Sequence, residues 1–413
     1  MKNELYLKKK SKSNRNFIPN AQWIILYVNK KGVTMKIFHL SDLHIGMNLM
    51  NYDLIQDQKY VFDQIIAYAQ KENPDVIVIA GDIYDKAVPS AQAVELFDAF
   101  ISTLSMTLPS CVFMMISGNH DSAPRIDCFR HILSKQKIYM IGQPPQNKEE
   151  HIFTVDLKDA YGPVRFYLLP FIKPSMVRPI FEEEGLSYDA SMRKLLQRED
   201  IDTSIRNVLV SHQFFVPKGS DSSSIERMDS EVCTVGNIDQ IYTDILADFD
   251  YVALGHIHKP MKVGSETIQY CGTPMPYSLS EAEQEKHIVM IDLQAKGNTH
   301  IQYLPLSPLH PIRKLSGTLE ELLAQANEDY VSLTLTDDTN IYVADIQKRL
   351  RIAFPHVLEM KREYGYQSTY QTISSKEQVA DPWTLCSQFL GAMNDEEEQA
   401  LKDIINTVLE VEA

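Results

Sequence analysis

Five short segments hold the residues that could carry out metal-assisted hydrolysis. They are Ser41-Asp42-Leu43-His44-Ile45-Gly46, Gly81-Asp82-Ile83-Tyr84-Asp85, Gly118-Asn119-His120-Asp121, Ser211-His212-Gln213 and Gly255-His256-Ile257-His258. An Asp-x-His or His-x-His pair on extended backbone turns both side chains to one face. Carboxylate, imidazole and amide oxygen form a mixed hard and borderline donor set. Such a set suits manganese, iron or zinc better than a Cys-rich structural zinc site does. Two adjacent cations need a shared carboxylate, and Asp82, alone at the end of a central strand, is the natural residue for it. Gly46, Gly81, Gly118 and Gly255 beside these donors permit tight turns and close approach of backbone to phosphate. Any one of these Asp or His residues, met singly, reads as a cap or a satisfied polar group. Five of the twelve histidines fall inside the series, and chance placement does not concentrate them so.

Strand ends must carry these segments. From Met35 the chain alternates strand and helix. Lys36–Leu40 is a short β-like run, and Asp53–Lys71 has helical spacing that stops before Asn73-Pro74. Val76–Ala80 and Val112–Ile116 are continuous apolar runs, as expected of strands covered on both faces. Ser90–Leu108 between them is again helical. This β-α-β-α-β order predicts an α/β sandwich with crossover helices. Further strands are expected at Asn207–Val210, Tyr251–Leu254, Ile268–Tyr270 and His287–Asp292. Sites in open α/β sheets lie at the carboxyl ends of strands, and each of the five segments follows an expected strand.

The chain has 413 residues, enough for two domains or three small ones. The Pro-containing stretch Leu306–Pro311 marks a boundary. Beyond it lie a smaller α+β unit (helix Glu320–Ala326, strand Tyr330–Leu335, helix Ile341–Ile352) and a tail, Pro382–Leu409, that mixes Trp383, Leu385, Phe389 and Leu390 with acids. The five scattered cysteines lack ligand or redox spacing and read as reduced thiols in a cytoplasmic protein. No apolar run is long enough to span a bilayer. A net charge of −15 argues against coating nucleic acid by bulk electrostatics, yet metal-binding carboxylates count as negative in that sum. Residues 1–34 are Lys- and Asn-rich. They read as an upstream extension before a true first residue at Met35, with a basic arm as the alternative.

The ordered series resembles the calcineurin-like metallophosphoesterase superfamily. Asp221–Arg227, Phe249–Pro260 and Tyr270–Glu285 are similar to its SbcD nuclease branch. The resemblance runs from Met35 to about Asp292, more loosely to the end. It implies a calcineurin-like phosphoesterase sandwich, two β-sheets flanked by helices, with a small C-terminal α+β capping domain. The implied units are a non-native or disordered extension over 1–34, a nuclease domain over 35–305, a capping domain over 306–380 and a partner-docking tail over 381–413. One divalent cation, manganese by preference, would be held by Asp42, His44, Asp82 and His258. A second would be held by Asp82, Asn119, His212 and His256.

His120 would protonate the leaving oxygen as general acid; its other reading is to orient a ligand. Asp121 is expected to orient His120. Arg125 is a candidate phosphate contact, though a solvated helix face suits it as well. The implied partners are DNA and an SbcC-type ATPase of the SMC-like coiled-coil class, with a homodimer of this chain inside a heterotetramer. The tail's aromatic and leucine anchors would suit docking into a groove. The same ligand set would serve a phosphatase or small phosphodiesterase. A non-catalytic clamp is disfavoured by the intact donors.

Overall fold

A computed structural model describes residues 25–27, 34–219, 228–231, 239–337, 343–363, 383, 386–387 and 395–412. Asp221–Arg227, most of the tail and all but three of residues 1–33 lie outside the described residues. Ile25–Tyr27 pairs in parallel with Asp156–Lys158.

Two sheets face each other. The first runs in the order Thr299–Leu306, Lys286–Leu293, Met35–Leu40, Val76–Ala80, Val112–Ile116, Ile138–Ile141. Its last four strands are parallel and its first two antiparallel. The second runs Ile25–Tyr27, Phe153–Asp159, Gly162–Leu169, Arg206–His212, Tyr251–Gly255, Ser265–Tyr270, Met261–Val263, with a parallel centre. The hairpin of Phe153–Asp159 and Gly162–Leu169 was not among the strands expected from sequence.

Strand geometry explains the continuous apolar runs. Successive side chains point to opposite faces, and both faces are buried. Val76, Val78 and Ala80 meet Phe166, Val208 and Val210 in the core between the sheets. Ile77 and Ile79 point the other way, against Val61, Phe62 and Phe100 of two helices, α1 (Ile55–Glu72) and α2 (Ala91–Thr107). On the far side Leu169, Leu209 and Leu254 pack on α3 (Pro174–Phe181) and α4 (Tyr188–Arg198). Local signals bound the helices. Ser90 caps α2 by accepting from the Ala93 amide, and left-handed Asn73 ends α1. A third sheet, Ile312–Gly317, Tyr330–Leu335 and His356–Arg362, has its own core around Leu322, Leu333 and Leu350. No helix among the described residues is long and apolar enough to cross a membrane.

His39 ties the sheets together beneath the strand ends. Its Nδ1 accepts from the Tyr251 hydroxyl at 2.9 Å, and its Nε2–H donates to the Leu254 carbonyl at 3.1 Å. Burial drives its pKa down to about 3. The unfolded chain, at about 6.5, therefore binds the extra proton between those values, and stability rises with pH across that window. We expect His39 alone to cost about 2 kcal/mol at pH 5 relative to neutral pH. Urea unfolding should show this slope in the wild type and a flatter one in His39→Gln; equal slopes would contradict it.

Candidate metal centre

The first two motif segments fold by pairing with each other. The amides of Asp42, His44 and Ile45 donate to the carbonyls of Gly81, Asp82 and Ile83, each at 3.0 Å. The motif segments hold unusual backbone. Asp42, His44, Asp82 and His256 have φ of 51°, 42°, 49° and 98°, four of the nine non-glycine residues with positive φ among the described residues. Such conformations cost roughly 1–3 kcal/mol each and persist where the surroundings over-determine them. Three motif glycines are required by space, and at Gly255 a Cβ would lie 2.0 Å from the Ala80 carbonyl oxygen. A Cβ at Gly118 would lie 2.1 Å from Asp82 Oδ1, and one at Gly81 would lie 2.3 Å from His212 Nδ1.

Asp82 stands at the centre. Its Oδ2 lies 3.6 Å from His44 Nε2 and 3.2 Å from His212 Nε2, while Oδ1 accepts from the His120 amide at 2.9 Å. On one side His44 Nε2 and His258 Nε2 face each other at 3.1 Å. On the other, Asn119 Oδ1 lies 3.1 Å from His212 Nε2 and 3.0 Å from His256 Nδ1. The Asp42 carboxylate accepts from the His256 amide. The ligand atoms of Asp42, His44 and His258 all lie within 4.8 Å of one another, as do those of Asp42, Asp82 and His212, and those of His44, Asp85 and His120. The structure thus brings together all seven residues read as ligands.

These donors fit divalent cations. The His212 ring donates Nδ1–H to the Ala80 carbonyl at 2.8 Å, which turns the lone pair of Nε2 inward. His44 Nδ1 is buried without a hydrogen-bond partner, and its Nε2 confronts another imidazole nitrogen. A shared cation satisfies facing lone pairs that a proton could satisfy only singly.

The protein's own charges shape the protonation. Burial pushes Asp82 up, but His212, His120 and His44 overcome it and hold the carboxyl well below its usual range. Burial pulls His212 down, and the Asp82 carboxylate reverses this, taking it up to about 9. His44 is driven well below its usual value by burial, which Asp82 only partly offsets. Asp42 and Asp85 are both raised by burial.

Asp121 plays a different part from the one expected. Its carboxylate accepts from the amides of Ile83, Tyr84 and Gly118 at 3.0, 2.9 and 3.0 Å. It locks the second motif loop to the third rather than orienting His120. Burial, reinforced by the charge of Asp82, raises it to about 6. The group that orients the His120 ring is the Asp85 carbonyl, 2.9 Å from Nδ1. Arg125 is exposed on the short helix Ala123–Ile126, outside the clustered groups.

Several supporting residues escaped sequence reading. Gln58, on α1, donates to the His44 carbonyl at 2.8 Å and accepts from the Gly46 amide at 3.0 Å. Phe171 lies nearly parallel to the His256 ring, 6.3 Å away. Ser230 and Glu281 stand behind His258. Asp85 lay in view inside the second motif; Ser230 had no local signal.

Residues 308–394 match the family described as type 5 capsule protein repressor C-terminal domain. The D subunit of nuclease SbcCD from Staphylococcus epidermidis is 28% identical over 392 residues, covering 92% of this chain and 100% of that protein. Its namesake from Staphylococcus saprophyticus is 27% identical, covering 88% and 94%. A dimetal phosphatase from Danio rerio of solved structure aligns over 66% of this chain and 96% of that one, at 14% identity and a TM-score of 0.38. Residues 35–260, more than half of the chain, match the family described as calcineurin-like phosphoesterase, and this chain belongs to that family.

Proposed function

We propose that this chain is a metal-dependent DNA nuclease, the SbcD-type component of an SbcCD-type complex. It would cut DNA ends and hairpins as endonuclease and 3'-5' exonuclease in repair, recombination and replication. The observation that carries the chemistry is Asp82, whose Oδ2 faces His44 and His212 at once. Asp42, His44, Asp82 and His258 would hold one divalent cation, and Asp82, Asn119, His212 and His256 the other. Manganese fits this mix of carboxylate, amide and imidazole donors. When bound, the pair supplies an activated water near neutral pH and neutralises phosphate charge.

The chain's own residues do the rest. The Asp85 carbonyl takes the Nδ1 proton of His120, so the protonated ring has its Nε2–H available for the departing sugar oxygen. Asp121 keeps the loop bearing Asn119 and His120 in register with Asp82. Phe171 forms an apolar wall beside His256.

The choice of DNA rests on the two relatives, whose nuclease names cover about nine-tenths of this chain. The same names, as the D subunit of SbcCD, support a C-subunit partner, which the family resemblance implies to be an SMC-like ATPase. With a net charge of −15, this chain would cut DNA that its partner helps to hold. In this reading residues 35–305 form the nuclease domain, 306–380 the cap and 381–413 the docking tail, in a cytoplasmic heterotetramer containing two copies of this chain.

The test uses the full chain with manganese, with and without its ATPase, on hairpin DNA, linear DNA and an activated p-nitrophenyl phosphodiester. Cleavage of DNA is expected. Intact DNA beside a hydrolysed small ester would replace the nuclease with a small phosphodiesterase. Neither reaction, with metal bound, would leave a non-catalytic clamp. His120→Ala should slow DNA cleavage by about 10²–10⁴-fold. It should slow the activated ester far less, because p-nitrophenolate leaves without a proton. Equal losses on both would make His120 an orienting residue instead.

A further inference from the structure

A buried polar network stands behind His258 and uses none of the residues assigned above to the reaction. Glu281 has no exposed surface. Its Oε1 accepts from Ser230 Oγ at 2.6 Å and Ser278 Oγ at 3.0 Å; its Oε2 accepts from Thr273 Oγ1 at 2.9 Å and Lys286 Nζ at 2.7 Å. Lys286, also buried, spends its two other protons on the His258 carbonyl at 2.9 Å and on Gln284 Oε1 at 2.8 Å. Ser230 Oγ meets His258 Nδ1 at 2.7 Å, and Glu231 Oε1 accepts from the His258 amide at 2.8 Å.

Counting protons decides the direction of every bond. An ionised carboxylate only accepts, an ammonium only donates, and a hydroxyl has one proton. Four donors converge on Glu281, so it is ionised. The single Ser230 proton therefore goes to Glu281. Ser230 Oγ can then only accept from His258, which places a proton on Nδ1 and, in the neutral ring that a cation requires, the lone pair on Nε2. That Nε2 is the atom facing His44.

We propose that Ser230, backed by Glu281 and Lys286, is a positioning residue for His258, fixing its tautomer so that Nε2 is presented to the site. The inference rests on the two-cation reading. A buried ion pair is by itself weak evidence of stabilisation, and here the chain of bonds ends on a ring nitrogen of a proposed ligand. Partners that orient a ligating imidazole commonly contribute 10–100-fold in metal affinity.

Manganese alone is titrated calorimetrically into the full chain, as wild type, Ser230→Ala and Ser230→Thr. The histidine ¹⁵N spectrum is recorded for each, with His258 assigned by its loss in His258→Gln. Ser230→Ala should weaken one of two binding steps by about 10–100-fold, leave the other and the unfolding midpoint unchanged, and move His258 away from the Nδ1–H tautomer. Ser230→Thr should restore both readouts. Wild-type binding and an unmoved His258 signal in Ser230→Ala would overturn the proposal. So would equal weakening of both steps with a lowered midpoint and no rescue by Thr, which would mark a purely structural role. A wild type that binds no manganese would instead overturn the two-cation reading.

Discussion

Asp82→Asn is expected to slow metal-dependent hydrolysis by roughly 10³-fold while leaving the fold intact. Asparagine has the same shape and tolerates the left-handed backbone that Asp82 adopts, with φ of 49°. Its amide oxygen can still accept from the His120 amide, as Oδ1 does at 2.9 Å. What changes is the atom between His44 and His212. A carboxylate oxygen becomes an NH₂ group, which cannot share two cations, and the site loses a negative charge. Loss of several kcal/mol of charge stabilisation corresponds to a rate drop of roughly 10³-fold. Manganese stoichiometry should fall from two while the unfolding midpoint without manganese stays within a few degrees. Full activity in Asp82→Asn would remove Asp82 from the centre of the mechanism.

The largest expected loss of stability lies in the second sheet, at the end away from the site. Arg206 begins the strand that ends in His212, about 20 Å away at strand rise. Its guanidinium is buried and forms a bidentate pair with Asp159, with Nη1 at 2.9 Å from Oδ2 and Nη2 against Oδ1. It also donates to the carbonyls of Gly162, Leu293 and Gln294 at 2.8, 3.1 and 3.0 Å. One side chain thereby joins the hairpin of the second sheet to a strand of the first. Asp159→Ala would strand the buried cation, at a cost of about 3–5 kcal/mol. Urea unfolding should register that loss, with the specific activity of the folded protein unchanged. The double variant Asp159→Leu/Arg206→Met, which removes both charges, should recover most of it. A single variant as stable as wild type would show that the carbonyls alone suffice.

Val76–Ala80 and Val112–Ile116 were readable because both of their faces are buried, which leaves unbroken apolar runs, while Met35–Leu40, interrupted by Lys36 and His39, was readable only as a short β-like run. The hairpin Phe153–Asp159 and Gly162–Leu169 was not. Its first strand carries Thr154, Asp156, Lys158 and Asp159, so only Val155 and Leu157 are buried. It sits toward the edge of its sheet, where half-polar strands imitate loops. In the site, the seven donors were visible as residue types following recognisable strands. The role given to Asp121 was not recoverable, because its three partners are backbone amides that all neighbours possess.

Local order along the chain was enough to show which candidate donors exist, on which strand ends they sit and that they suit metal-assisted hydrolysis. Packing alone specified which nitrogen of three of the imidazoles faces inward. That choice depends on the Ala80 carbonyl for His212, on Ser230 for His258 and on the Asp85 carbonyl for His120. A ring nitrogen's proton goes to whichever acceptor folding brings within 3 Å. Those acceptors come from distant parts of the chain, where spacing and residue type carry no trace of them.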